Sequence, residues 1–242
     1  MSELIDLYNR WMIDGTYYAH LLPAYRSMTK DLVQRLEIKR LGKDQSVLDL
    51  GSGLGYTCAL IRDANPSVGI IAVDPSAQML EKLEKHHALR IHEFINCKAE
   101  DLLSNCTSRP AIVLSSFALH HVPHKKKLSV LKQIYELLPS GGKLGIGEIS
   151  VNTNNSDRLS QFEDLVNFYA VSAKYIARET NSVENGKQEL RFMAEALEGK
   201  HEHFLLADQW IELFQKASFD VSKPFFSKPL NLKYFNLVGY KQ

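Results

Sequence analysis

Val47-Leu48-Asp49-Leu50-Gly51-Ser52-Gly53-Leu54-Gly55 is an apolar run that ends in a glycine-rich turn. A second apolar run, Ile70-Ile71-Ala72-Val73, ends in Asp74. The first pattern is that of a buried strand feeding a nucleotide-binding loop. Glycines let a backbone turn tightly and approach a ligand closely. An acid at the tip of the next strand can accept hydrogen bonds from both hydroxyls of a ribose. The two runs together set the fold class, an α/β sheet built from strand, loop, helix and strand.

Spacing and charge narrow the ligand. A dinucleotide loop has the spacing G-x-G-x-x-G. Gly51, Gly53 and Gly55 stand as G-x-G-x-G instead. Asp49 lies just before the first glycine. Its carboxylate would repel a pyrophosphate and attract an ammonium and a sulfonium. In these residues the chain resembles the class I S-adenosyl-L-methionine (SAM) dependent methyltransferases, whose first motif is close to V-L-D-L-G-x-G-x-G. The resemblance implies a Rossmann-like sheet and SAM as cofactor.

Apolar periodicity predicts strands over 46–50, 69–73, 92–97, 111–115, 143–149, 219–224 and 232–239. Helices are expected over 56–64, 77–87 with Ser76 as cap, 127–138 and 206–217. Two further helical stretches, 3–14 and 24–38, precede the first strand, with Pro23 between them. Residues 156–200 read as helical, broken over 181–186. The expected fold is a Rossmann-like, seven-stranded, mostly parallel sheet with helices on both faces. One methyltransferase domain would comprise a helical arm (1–40), a SAM-binding core (41–149), a helical lid insertion (150–205) and a C-terminal helix and strand pair (206–242). Ligands bind at the carboxyl ends of parallel strands. The arm and the insertion are therefore the expected lid and substrate wall.

Composition agrees with an enzyme of this kind. Apolar, aromatic and cysteine residues make up 45% of the chain, enough for a real core. With 29 basic against 28 acidic residues, no charge excess favours nucleic acid as a partner. Lys125-Lys126-Lys127 reads as a solvated helix start. Cys58, Cys97 and Cys106 have no metal spacing and no paired framework, so reduced thiols and a cytoplasmic location are expected. No run approaches the length of a membrane span, and no leader pattern opens the chain. An oligomer is compatible with all of this.

Further motifs carry the resemblance through about residues 46–149. It implies that Gly51, Ser52 and Gly53 lie against the methionine part of SAM, that Asp49 helps hold its amino group, and that Asp74 takes the ribose hydroxyls. Pro75 and Met79 would flank adenine. Cys97-Lys98-Ala99-Glu100-Asp101-Leu102 resembles the third motif, which brings Ala99 and Glu100 to the adenine edge. Ala111 to His121 resembles the fourth, D-x-V-x-S-S-x-x-L-H-H, with Ala111 in place of the Asp. Ser116 would contact the cofactor. His120 or His121 is the candidate general base, since imidazole titrates near neutrality. The run His120-His121-Val122-Pro123-His124 lacks helical i, i+4 placement and any Cys or Glu close in sequence, so no metal is expected.

A narrower resemblance is to the carboxy-SAM synthase family. It rests on Leu22-Pro23-Ala24-Tyr25, on the helical insertion with Arg191, and on Phe225-Phe226 and Tyr234-Phe235. It implies that Tyr25 touches the cofactor and Arg191 pairs with a carboxylate. The chain departs from it at Ser52-Gly53, where that family has Cys-Ser. The main expectation is methyl transfer from SAM to a small-molecule acceptor. The acceptor would be recognised mainly by aromatic and apolar residues, among them Tyr17, Tyr18, Phe162, Leu165, Phe168 and Tyr169. The alternatives are a carboxy-SAM synthase-like enzyme that alters SAM itself, and a SAM-binding protein without catalysis.

Overall fold

A computed structural model of the chain describes residues 23–150, 158–198, 200, 202–227 and 234–242. The expected helix over 3–14, with Tyr17 and Tyr18, lies outside them. Helix α1 (Pro23–Arg35) leads into β1 (Ser46–Leu50), α2 (Tyr56–Ala64), β2 (Gly69–Val73), α3 (Ala77–Glu84) and β3 (Glu93–Ile95). A helical turn at Leu102–Asn105 precedes β4 (Ile112–Ser116), α4 (His124–Leu137) and β5 (Lys143–Ile149). Helices α5 (Arg158–Glu179) and α6 (Val183–Leu197) form the insertion. The chain then runs through α7 (Ala207–Lys216), β6 (Asp220–Val221), β7 (Phe225–Ser227) and β8 (Tyr234–Tyr240).

The sheet order is β3-β2-β1-β4-β5-β8-β6, with β7 also pairing β8. Strands β1 to β5 are mutually parallel, and β8 runs antiparallel to β5. Leu48 is in register with Ile71 and with Val113, so the central strands end at one level and their loops open on one edge. Period-two alternation sends Leu48, Ile71, Val113 and Leu144 to one face and Val47, Ile70, Ala72 and Ile112 to the other. Both faces are buried under helices, as a parallel sheet requires.

The expected strand over 219–224 is two short strands, β6 and β7. Pro224 has no N–H to give to the ladder, so the pairing with β8 is interrupted there. Ser222 keeps the edge attached: its N–H donates to Val238 O (2.8 Å), and its Oγ accepts from Val238 N (3.2 Å).

Helix α1 is part of the core. Met28, Leu32 and Leu36 are fully buried. A Cβ on Gly145 would lie 2.7 Å from Leu36 Cδ1, and one on Gly147 would lie 3.2 Å from Met28 Cε. The two glycines of β5 thus let α1 settle onto the sheet. In the insertion, Gly186 falls inside α6, where the sequence reads a break. A Cβ there would lie 2.8 Å from Ala173 O, so the glycine lets α6 approach α5 closely. The break itself is shorter. Asn181 turns with φ 49, and the Ser182 side chain caps α6 by accepting from Asn185 N (3.3 Å).

Candidate active site

The loops after β1, β2, β3 and β4 converge on a cleft of about 300 Å³. The expected cofactor residues Tyr25, Gly51, Ser52, Gly53, Asp74, Pro75, Met79, Ala99, Glu100 and Ser116 all line it. Asp49 does not. It sits behind the loop, fully buried, where its Oδ2 accepts from Cys58 Sγ at 3.2 Å.

The glycine loop is wedged tightly. Gly51 has φ 84, and a Cβ on it would fall 2.4 Å from Ala118 Cβ. Only glycine allows the loop after β1 to meet the loop after β4 in this way. The loop's N–H groups point inward. Gly51 N and Ser52 N both donate to Val73 O, at 2.8 and 3.0 Å. Gly53 N donates to Asp74 Oδ2 at 2.9 Å. A pyrophosphate needs such N–H groups for itself, and here they are taken.

Charge in the cleft favours a cation. Burial pushes the Asp74 carboxyl up to about 6, against the N–H groups of Ser76 and Gly53, which lower it. Burial raises Asp49 to about 7, opposed by Cys58 and helped by Asp74. Asp49 Oδ1 and Ser52 Oγ are buried without hydrogen-bond partners. The orphaned Ser52 Oγ and the Asp74 carboxyl at the cleft, with the buried Asp49 carboxyl behind the loop, suit a ligand that carries an ammonium and hydroxyls. They fit SAM.

Aromatic rings close the cleft above the loop. Phe117 follows β4 with φ 57, a backbone conformation that is costly for a bulky residue. Gly147 O accepts its N–H at 2.7 Å and holds the turn. The ring packs 6.0 Å from Tyr25 and 5.9 Å from Phe168. Tyr25 lies 5.5 Å from Tyr56, and burial pushes its phenol far up, so it stays neutral. Ser116 Oγ meets Thr29 Oγ at 2.7 Å and ties β4 to α1.

The two expected base candidates separate. His121 lines the cleft, together with His203 from the segment after α6. His120 turns away and is 2% exposed. Its Nδ1 meets Glu148 Oε2 at 2.7 Å, and its backbone N–H donates to Glu148 Oε1 at 3.2 Å. A carboxylate only accepts, so we assign the proton to Nδ1. Burial holds the ring well below its usual pKa and therefore neutral. The Nε2 lone pair then faces Glu202 Oε2 at 3.3 Å. The His-His run thus has glutamate partners, which sequence reading missed because Glu148 and Glu202 come from distant segments.

Other expectations are corrected. Lys127 is 1% exposed instead of solvated. Its Nζ donates to Leu119 O at 2.5 Å and lies over Trp210, and burial lowers it to about 8. Lys125 and Lys126 are exposed, as a solvated helix start requires. Tyr169 does not line the cleft. It is 4% exposed and packs edge-on against Phe168 inside the insertion. Arg191 is exposed, outside the cleft, and pairs with Glu184 at 3.3 Å on its own helix. Tyr18 lies outside the described residues. Among the described residues, no helix is long and apolar enough to cross a membrane.

Comparisons with known proteins identify the family. A family model for a methyltransferase domain matches residues 18–223. A carboxy-S-adenosyl-L-methionine synthase of Psychromonas ingrahamii is 28% identical over 164 residues, covering 61% of this chain and 68% of that protein. A demethylmenaquinone methyltransferase of Lactobacillus johnsonii is 32% identical over 129 residues, covering 52% of this chain and 51% of its own. In structure, the chain is similar to a Burkholderia thailandensis 1,6-didemethyltoxoflavin-N1-methyltransferase with bound 1,6-didemethyltoxoflavin and S-adenosylhomocysteine. That likeness has a TM-score of 0.64 at 17% identity and covers 99% of this chain and 87% of the other. The chain is a SAM-dependent methyltransferase and belongs to this methyltransferase domain family.

Proposed function

We propose that the enzyme transfers the SAM methyl group to a small, largely apolar acceptor with one polar end. The observation that carries this reading is the lining of the cleft beyond the glycine loop. Phe117, Leu119 and Val122 make it apolar, and His121 and His203 form a single polar corner. SAM supplies a methyl group already activated by its sulfonium. The chain's task is then to align the acceptor and exclude water. In this reading, Asp74 takes the ribose hydroxyls and Ser52 receives the amino group, with the Asp49 charge behind the loop favouring it from a distance. Pro75, Met79, Ala99 and Glu100 hold adenine, while Tyr25 and Ser116 stand at the methionine end. The His121 corner steers the acceptor's attacking atom. His120 has no direct contact with the acceptor and serves as a positioning residue behind His121.

The identity to carboxy-SAM synthases supports a second reading, in which SAM itself is altered. Arg191 does not support it, because its guanidinium lies in solvent beside Glu184. Mass analysis of products separates the readings. With SAM and a panel of small aromatic acceptors, we expect a methylated acceptor and S-adenosylhomocysteine. A carboxylated SAM as the product would replace the first reading with the second. Cofactor binding with no turnover across the panel would favour a non-catalytic protein.

A further inference from the structure

Three candidate donor atoms converge at the polar corner, and an oxygen of one of them, Glu202, is buried without a hydrogen-bond partner. Donor atoms of His120, His121 and Glu202 all lie within 4.8 Å of one another. His120 Nε2 is 3.3 Å from Glu202 Oε2, and His121 Nδ1 is 3.8 Å from Glu202 Oε1. Glu202 Oε2 is buried, yet the 3.3 Å approach lacks hydrogen-bond geometry, so the oxygen has no partner. With the His120 proton on Nδ1, a lone pair on nitrogen faces a lone pair on oxygen. A cation held by His120 Nε2 and Glu202, with His121 beside them, removes that repulsion.

We propose that His120, His121 and Glu202 bind a divalent transition-metal cation, with zinc the best fit, at the acceptor end of the cleft. The donor set is two imidazoles and a carboxylate, which suits zinc and its neighbours and not calcium or magnesium. On a tetrahedral zinc with ligand bonds of about 2.0–2.1 Å, ligand atoms stand about 3.3 Å apart. The His120–Glu202 separation of 3.3 Å matches that edge, and side-chain rotation would bring His121 to it from 3.8 Å. The outer shell is also that of a metal site. Glu148 fixes the His120 tautomer through Nδ1 and so aims Nε2 at the ion, the carboxylate–histidine arrangement found behind metal-bound histidines. His203 N donates to His120 O at 2.7 Å and holds the segment carrying Glu202 against the strand end.

The fourth position would open on the cleft, because His121 is a lining residue and His120 is not. A lone-pair donor on the acceptor, oxygen or nitrogen, would occupy it. The inference goes beyond methyl transfer, and its test uses no SAM, so either idea can fail without the other. The full chain, metal-free and without any affinity tag, is titrated with Co²⁺ and followed by visible absorption. One equivalent should produce the intense band of four-coordinate Co²⁺, and Zn²⁺ should abolish it. His121→Ala and Glu202→Gln should each weaken binding at least ~100-fold. Glu148→Gln should weaken it by ~10–100-fold, the usual range for outer-shell partners. Changing both exposed histidines His86 and His87 to Ala should leave it unchanged. No saturable band in the wild type, or wild-type affinity in both His121→Ala and Glu202→Gln, overturns the proposal. Should those variants misfold, anomalous diffraction from a Co²⁺-soaked crystal of the wild type decides. An ion between His120 Nε2, His121 Nδ1 and Glu202 supports the site. An ion elsewhere, or none, refutes it.

Discussion

Asp74 ties two loops together and keeps capacity for a ligand. Its two oxygens accept from Gly53 N and Ser76 N, each at 2.9 Å, and so shape the loops after β1 and β2. A carboxylate offers about four acceptor positions, so capacity remains for two ribose hydroxyls. Asp74→Ala should weaken SAM binding by about 2–3 kcal/mol, the scale of hydrogen bonds to a charged group. Calorimetry reads this directly, and unchanged affinity would remove Asp74 from the ribose role. The pH dependence follows from burial. Asp74 and Asp49 are raised from 3.8 to about 6 and about 7. For folding, their contribution is fully present below the unfolded value and is lost as pH rises through about 6 and about 7. A cationic ligand that needs both carboxylates has the opposite sign. SAM affinity should therefore fall by at least ~10-fold between about pH 8 and about pH 5.5, with protons released on binding near neutrality. A flat profile would mean that neither acid meets the ligand's charge. At this scale, sequence reading finds what is contiguous. Gly51, Asp74, Ala99 and Ser116 announce themselves in short motifs and reach the cleft. Glu148 and Glu202 carry no local signal. Their meaning depends on His120, which only the fold brings to them.

At the scale of elements, strands β1, β2 and β5 have the bounds that their apolar runs predict, because a buried parallel strand leaves a continuous apolar signature. The insertion is harder to read. Gly186 looks like a helix breaker in sequence and is instead a contact point between α5 and α6. Gly186→Val should overpack that contact and cost about 1–3 kcal/mol, seen as a lower melting temperature. A fall no larger than that of an exposed control such as Lys187→Val would argue against close packing there. Aromatic residues of α5 mislead in the same way. Periodicity marks Phe168 and Tyr169 as one face but cannot say whether that face meets a substrate or a core. Both are buried with Leu165, Ile176 and Tyr234. Tyr169→Ala should thus lower stability by about 3 kcal/mol or more, the usual cost of emptying a buried aromatic site. The acceptor's KM should change little at a temperature where the variant is folded. A raised KM with full thermal stability would return Tyr169 to the acceptor wall.

For the whole molecule, the question is which parts move around the cleft. Sequence reading treats arm and insertion alike, as pieces outside the sheet. The structure separates them. Helix α1 is anchored by Met28, Leu32 and Leu36 on the glycines of β5, and Asn236 Nδ2 donates to Met28 O at 3.0 Å. Only its N-terminal end, at Tyr25, reaches the cleft. The α5–α6 pair meets the sheet only at strand ends, Ile149 and Tyr234, among the described residues of its buried cluster. Its inner face rests on Tyr25, Phe117 and Tyr234, and its outer face leaves Leu159, Phe162, Val183, Leu190 and Leu197 exposed. Segments with few buried anchors open first, and those beside a site close over ligand. Hydrogen exchange should therefore show slow exchange through the later turns of α1 with or without SAM. The α5–α6 pair and the segment that carries Glu202 and His203 should exchange faster and become protected when SAM binds. The coupling has a physical route, because the ring of Phe117 touches both Tyr25 and Phe168. A ligand that fixes the loop after β4 fixes the floor on which α5 rests. Phe117→Ala should break that route, so SAM would still protect the glycine loop while α5 continued to exchange freely. Equal protection of α5 in the variant and the wild type would show that the insertion is held by its own packing, independent of the cofactor.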